Sequence, residues 1–409
     1  MDNREFDVVV WGATGFTGRL VAEYLLRRYG AGSGSLKWAM GGRNESKLRA
    51  VRAELGPQAE GVPLVIADSE DAALLDVMAA RTRVVCSTVG PYALYGSRLV
   101  AACVHHGTHY CDLTGEVQWM REMIGRHHEH ARETGARIVH TCGFDSIPSD
   151  MGVYFLQQQM QARNGVSCAA VKYRAKAFKG GFSGGTITSM LNMLDEMERD
   201  PSIAAVIQDP YALNPPGARR GLDGPERMLP DYDADFGAWV TPFVMGMINT
   251  KVVRRSNAVM GYPYGEEFRY DEGTLIPFGL AGFPIAAAVS AGSAAFTAAA
   301  SLGTLRRLLA RMLPKPGEGP SQAAREAGYF VIELLGRHPS DPSLSLRARI
   351  RGDRDPGYGS TAKMLGESAV CLAQDPLESP GGVLTPASAM GGALLPRLND
   401  NAGVTFELI

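Results

Sequence analysis

The stretch Gly12-Ala13-Thr14-Gly15-Phe16-Thr17-Gly18 constrains this chain more than any other. Before it runs Phe6-Asp7-Val8-Val9-Val10-Trp11, the continuous apolar, β-branched block that a parallel strand buried on both faces requires. After it, Leu20, Val21, Tyr24 and Leu25 fall at helical spacing, and Gly30 stands where a left-handed cap is wanted. Each glycine answers a separate steric demand. Gly12 permits the tight turn out of the strand, Gly15 lets the backbone approach a pyrophosphate, and Gly18 lets the helix pack closely on the sheet. The helix N-terminus then faces the anion. Thr14 and Thr17 offer hydroxyls to the same phosphates, and Phe16 lies within the same turn. A bare glycine pattern is weak, but strand before and helix after make it a dinucleotide site.

Further apolar blocks, Leu36 to Met40, Pro63 to Ala67, Arg83 to Val89, His109 to Leu113 and Arg137 to Thr141, are separated by helix-compatible segments. Alternating βα units build a parallel sheet with helices on both faces, because crossovers are right-handed. Residues 1–150 are read as that domain. The second strand selects the cofactor: it runs into Gly41-Gly42-Arg43-Asn44 instead of a carboxylate for free ribose hydroxyls. Arg43 and Lys47 place two cations where a 2′-phosphate would lie, so NADP is expected. Asp68, closing the third strand, meets the adenine edge or caps the next helix. The fourth strand ends in Thr88-Val89-Gly90-Pro91, whose backbone is expected to line the nicotinamide ribose, with Tyr92 and Tyr95 as the nearest phenols.

Beyond Asp150 the rhythm changes. Residues 151–355 read as a second domain that starts with an alternating, exposed-type strand, Val171, Tyr173 and Ala175 against Lys172, Arg174 and Lys176. Residues 209–235, rich in Pro, Gly, Asp and Arg, read as a surface loop able to cover a cleft. Residues 273–305 carry no charge at all. A membrane span, buried or cleft-lining helices, and a surface resting on lipid are all open for that segment, although Pro277, Gly279, Gly282, Pro284 and Gly292 interrupt it. Arg306, Arg307 and Arg311 follow, facing lipid phosphates or solvent. Residues 356–409 complete the chain with helices and a last strand.

A formal net charge of −2 gives no reason to expect nucleic acid as a partner. The six cysteines have no zinc-type spacing, and the histidines lack a matching carboxylate pattern, so no metal is expected. Scattered cysteines and a charged start without a secretory signal suit a cytoplasmic protein.

Several blocks carry a resemblance to a known family. They are the glycine turn, Gly41-Gly42-Arg43, Thr88-Val89-Gly90-Pro91-Tyr92, Cys111-Asp112-Leu113-Thr114-Gly115-Glu116 and Gly143-Phe144-Asp145-Ser146-Ile147-Pro148-Ser149-Asp150. Asp355-Pro356-Gly357-Tyr358, Glu367-Ser368-Ala369 and Gly381-Gly382-Val383-Leu384-Thr385-Pro386-Ala387 extend it to the C-terminus. Together they resemble the saccharopine-dehydrogenase-like oxidoreductases, within them the trans-acting enoyl reductases. The resemblance implies an α/β protein: an N-terminal Rossmann domain with a parallel sheet, a second α+β domain with a mixed sheet, and C-terminal helices returning to the first. It also implies NADPH-dependent reduction of a carbon–carbon double bond in an acyl or polyketide thioester, presented by a synthase carrier domain during lipid biosynthesis. The uncharged segment suits an apolar chain better than a saccharopine-type adduct, whose carboxylates need cations.

The implied chemistry is hydride transfer to the β-carbon of an enoyl thioester and protonation at the α-carbon. Candidate donors are Tyr92, Tyr95, Ser146, Thr186 and the carboxyl of Asp145, which burial would raise. Asp145 has an alternative role, tying the interdomain hinge through backbone amides. Arg254 and Arg255 anchor a phosphopantetheine or carboxylate, or lie on a solvated helix face. Peripheral contact with the inner face of the plasma membrane and a homodimer are left open. So are an amino-acid dehydrogenase and a non-catalytic NADP-binding protein.

Overall fold

A computed structural model describes residues 4–31, 34–180, 184–218, 220–301 and 319–409. The expected alternation is present. Strands β1 (Phe6–Trp11), β2 (Trp38–Gly42), β3 (Leu64–Ile66), β4 (Thr82–Ser87), β5 (His109–Cys111) and β6 (Arg137–Val139) pair in parallel in the order β6-β5-β4-β1-β2-β3. The chain reverses direction of travel between β1 and β4, and that switch point opens a crevice beyond the strands' carboxyl ends. Val8, Val9 and Val10 are fully buried, as a strand covered on both faces demands.

The second sheet is mixed. It contains β7 (Ala170–Lys179), β8 (Asp231–Asp233), β9 (Ala238–Thr241), β10 (Arg269–Ile276), β11 (Tyr329–Arg337), β12 (Leu346–Gly352) and, after the intervening β13, β14 (Val404–Leu408). β7 and β10 are parallel and the other pairs antiparallel. β7 is a central strand rather than an exposed one. Val171, Tyr173 and Ala175 face the core as their alternation requires, but Arg174 on the opposite face is buried because Asp233 and Asp271 neutralise it.

The last segment stitches the sheets together. β13 (Gly382–Leu384) adds to β6 as a seventh parallel strand, while β14 closes the mixed sheet against β12. Between them in sequence lies helix Pro386–Asp400, and before them helix Thr361–Gln374, which packs on helix Phe16–Tyr29 and on β1, β4 and β5. Helix Ile147–Asn164 leaves β6 and packs on β11 and β12. One hydrophobic core therefore runs from Val8 and Val10 through Met364 and Leu365 to Ile332 and Leu334.

Candidate active site

In a parallel sheet all strand exits share one edge. The loops leaving β1 to β4 at that edge, with the first turns of the helices after β1 and β2, carry the whole set of expected cofactor residues. Gly12 has φ +88°, and a methyl group on it would lie 2.6 Å from Val89 Cγ2 and 2.8 Å from Thr88 Oγ1. A methyl on Gly18 would overlap the Gly12 carbonyl. Within the turn, these are the two positions where only hydrogen fits. Helix Phe16–Tyr29 starts with no side-chain cap on Gly15 and no acid in its first turn. Its first N–H groups and positive dipole end are therefore left for an anion. The hydroxyls of Thr14 and Thr17 meet no partner among the described residues.

Other members of the set hold the turn in place. Thr88 donates its hydroxyl to the Trp11 carbonyl at 3.1 Å and the Gly12 carbonyl at 3.3 Å, so it braces the turn instead of offering a free donor. Phe16 contributes backbone to the turn. Its ring points to the C-terminal segment, edge-on to Tyr358 at 5.2 Å and beneath the Arg325 guanidinium at 5.5 Å. Gly90 is exposed and Pro91 is buried. Asp68 follows β3, with Oδ1 accepting the Glu70 N–H at 3.0 Å. It does not cap the next helix: Asp71 does, accepting from Leu74 N–H at 3.1 Å.

Arg43 and Lys47 are exposed at the end of β2, and among the described residues neither side chain is paired. Asn44 caps helix Glu45–Glu54 by accepting the Lys47 N–H, which adds a second helix start to the same spot. A dianionic 2′-phosphate placed there would meet two free cations and a dipole. Each charge-assisted contact is worth about 1.5–3 kcal/mol. The double change Arg43→Ala with Lys47→Ala is expected to raise the Kd for NADPH by about 10²-fold or more and to leave NADH within about threefold. Fluorescence titration of both nucleotides checks this; equal weakening of the two would place the phosphate elsewhere.

Tyr92 is not available as an acid. It is buried, its hydroxyl donates to the Ser87 carbonyl and accepts the Leu113 N–H, both at 3.2 Å, and its ring stacks on Trp119 at 5.6 Å. Burial, with Asp112, Asp145 and Glu116 nearby, pushes that hydroxyl well above its ordinary value. Tyr95 is exposed on the same short helix, and among the described residues no hydrogen bond or ring contact joins it to Asp145. Ser146 is also committed: it is buried and donates to Asn249 Oδ1 at 3.0 Å, while Asn249 Nδ2 donates to the buried Glu272. Thr186 lies outside the described side chains, as Arg306, Arg307 and Arg311 lie outside the described residues.

Asp145 remains. It sits on the loop from β6 to helix Ile147–Asn164, where Leu113, Thr361 and its own Oδ2 all crowd Gly143. Loss of solvation, reinforced by the Asp112 carboxylate and opposed by its own backbone N–H, pushes its carboxyl up to about 7. Asp112, which sequence reasoning did not single out, builds this loop. Its Oδ1 accepts the N–H of Thr114 at 3.0 Å and of Thr141 at 3.2 Å, and its Oδ2 lies 2.7 Å from His140 Nδ1. Thr141 is thereby held at φ +61°, a left-handed conformation costly for a β-branched residue and characteristic of functional loops. The signal was present as a carboxylate directly after a buried strand, followed by Leu-Thr-Gly.

Two further acids were missed. Glu116 is buried and takes the N–H groups of Tyr92 and Ala93 at 2.9 Å each, which fixes the turn after Gly90 and Pro91. Asp150 accepts from the Ser256 hydroxyl and from Ala387 N–H at 2.8 Å, and burial pushes it up to about 7. Asp150, not Asp145, ties helix Ile147–Asn164 to helix Gly246–Val259, which carries Ser256, and to helix Pro386–Asp400. Arg254 and Arg255 do not lie on a solvated helix face: both are buried and bonded within the protein. Arg254 is held by Asp223, Glu226 and the Tyr270 carbonyl, and Arg255 donates to the carbonyls of Leu213 and Val383. Residues 209–235 are accordingly tied down through Leu213, Asp223, Glu226 and β8 rather than forming a free cover.

Beside Asp145 lies an aromatic cluster of the core. Phe144 meets Phe330 at 5.0 Å and Phe243 at 6.5 Å, and Tyr173 meets Phe243 at 5.6 Å.

A 3-2-1-4-5-6 parallel sheet with this turn and these cations defines an NADP-dependent oxidoreductase. Residues 8–139 match the family model described as the saccharopine dehydrogenase NADP binding domain. The whole chain is 44% identical to a putative trans-acting enoyl reductase of Mycobacterium tuberculosis, over 99% of this chain and 97% of the relative. It is 40% identical to a trans-acting enoyl reductase of Mycobacterium ulcerans, over 97% and 96%. A solved saccharopine dehydrogenase of Saccharomyces cerevisiae aligns at 12% identity and a TM-score of 0.49, over 98% of this chain and 99% of that one. The chain belongs to the saccharopine-dehydrogenase-like family, in its trans-acting enoyl reductase branch.

Proposed function

We propose that the protein reduces the double bond of an enoyl thioester on an acyl or polyketide chain presented by a separate synthase, with Asp145 as the proton donor. The observation that carries this reading is the buried carboxyl of Asp145 on the loop leaving β6, next to an aromatic cluster of the core. When bound, NADPH supplies a hydride to the β-carbon and leaves as NADP⁺. The helix start at Phe16 and the threonines of the turn hold its pyrophosphate, and Arg43 and Lys47 hold its 2′-phosphate. Asp145 passes its proton to the α-carbon, which completes the saturated thioester, and regains a proton from solvent. Phe144, Phe243 and Phe330 exclude water from the reacting carbons.

An amino-acid adduct is disfavoured by the cations of the second domain. Arg174, Arg254 and Arg255 are all bound to acids or carbonyls of the protein, so they are not free for a substrate's carboxylates. Purified protein given NADPH with enoyl thioesters or saccharopine-type adducts is expected to consume NADPH with the thioesters alone, read by nicotinamide absorbance. Consumption with the adducts alone overturns the reading. Thioesters carried on a synthase domain belong in the panel, because the relatives are named as acting in trans.

A further inference from the structure

Among the described residues, one face of the second domain has no cover. Helix Phe283–Ser301 is the continuation of the uncharged segment, and the stretch Gly279–Phe296 is long and apolar enough to cross a membrane, yet only 17% of it is buried. A core helix would be mostly buried. Here Phe278 is 71% and Leu280 72% exposed, and Phe283, Ile285, Val289 and Phe296 also reach solvent. Phe278 has φ +80°, a strained conformation for a bulky residue, and the ring it displays makes no use of it inside the protein.

The surroundings have a definite arrangement. Ile276 pairs with Trp239, Thr274 with Ala175, and Tyr329 with Lys179, so Trp239, Phe178, Tyr329 and Phe278 stand at one end of the mixed sheet. Trp239 donates its indole N–H to the Leu280 carbonyl at 3.1 Å and packs on Phe283 at 4.8 Å. An apolar helix bordered by aromatic residues, with Phe178 and Tyr329 themselves exposed, is the composition of an interfacial belt. A protein partner would want charges and hydrogen-bonding groups at the rim, and residues 273–301 carry no charge. The sequence from 273 to 317 holds Arg306, Arg307, Arg311 and Lys315 and no acid, which complements an anionic surface. The helix packs on β9 and on helix Gly184–Arg199, so it lies along a surface and does not leave the fold to span one.

We infer that this face docks on an anionic lipid surface. The inference extends the acyl reading by naming the route of the substrate. Helix Gly184–Arg199 lies between the apolar face and the crevice: it packs on helix Phe283–Ser301, and its Glu196 accepts from Gln118 at 2.8 Å. Its Ser189 reaches both Gly90 and the Glu116 carboxylate. A chain drawn from lipid arrives at the nicotinamide end beside that helix.

The full-length protein is tested by co-sedimentation with vesicles of phosphatidylcholine alone or mixed with phosphatidylglycerol. Binding to the mixed vesicles is expected to be at least about tenfold tighter. The double variant Phe278→Asn with Leu280→Asp is expected to lose at least about tenfold. Asparagine tolerates the left-handed backbone, so the variant's thermal melt and its NADPH affinity should match the parent's. Failure of the parent to bind vesicles, or equal binding by the variant, overturns the inference. Two other outcomes also overturn it: a dimer that the variant dissociates while neither form binds vesicles, and binding of a synthase carrier domain at this face in place of lipid. Turnover of a soluble short-chain enoyl thioester, measured without vesicles, reports separately on the proposed reaction.

Discussion

Replacing Asp145 by asparagine is expected to lower kcat for enoyl reduction by about 10²–10⁴-fold, the range for loss of a positioned general acid, while NADPH affinity is unchanged. Asparagine keeps the shape but has no proton to give. The pH profile supplies the more discriminating readout. A carboxyl pushed up to about 7 is protonated below that pH, so the parent rate should fall as pH rises through about 7 and that limb should vanish in the variant. Stability moves the same way. A raised carboxyl in the folded state contributes stability that is present below its unfolded value and lost as pH rises through about 7. Asp145→Asn, neutral throughout, should therefore melt no lower than the parent above that pH. A slow variant that is also less stable would mark Asp145 as structural, and a variant that keeps the falling limb would place the acid elsewhere.

That residue shows how far the sequence reached. The glycine turn, its strand and its helix were legible because each rests on local sterics: Gly12 and Gly18 sit where a Cβ would strike the turn or its neighbours. The placement of Arg43 and Lys47 beside the end of the second strand was legible for a similar reason, since Arg43 follows the strand directly and Lys47 lies in the first turn of the next helix. Tyr92 was misjudged because a phenol beside a turn looks available until the Leu113 N–H and the Ser87 carbonyl, on different strand exits, close on it. Arg254 and Arg255 failed for the same cause. Their partners, Asp223 and the Leu213 and Val383 carbonyls, are distant in sequence, and only the fold brings them together. Asp112 and Asp150 were hidden because a buried carboxylate is identified by the N–H groups it gathers, which are supplied by tertiary structure. β13 is three residues long and has no pattern of its own; its place is fixed by the edge that β6 exposes.

The C-terminal return makes the nucleotide domain dependent on residues far from it, and Glu367 is where that dependence can be measured. It lies fully buried on helix Thr361–Gln374 and accepts the hydroxyls of Tyr24 at 2.5 Å and Tyr29 at 2.6 Å, both from the helix that follows the glycine turn. Arg397 and Asn401 donate to its other oxygen at 3.2 Å each. Burial and this carboxylate raise both phenols above their ordinary values, so they stay protonated donors with nowhere else to turn. Glu367→Ala leaves these donors without an acceptor, opens a void, and removes the charge facing Arg397. The expected cost is about 3–5 kcal/mol, a large part of the roughly 5–15 kcal/mol that holds a typical domain folded. Urea unfolding should show the loss, and saturating NADPH should recover part of it, because the helix bearing Tyr24 and Tyr29 begins at the phosphate turn. Glu367→Gln keeps one acceptor for the tyrosines and should fall between the two. A Glu367→Ala protein as stable as the parent would mean that apolar packing of Met364 and Leu365 alone holds the return in place.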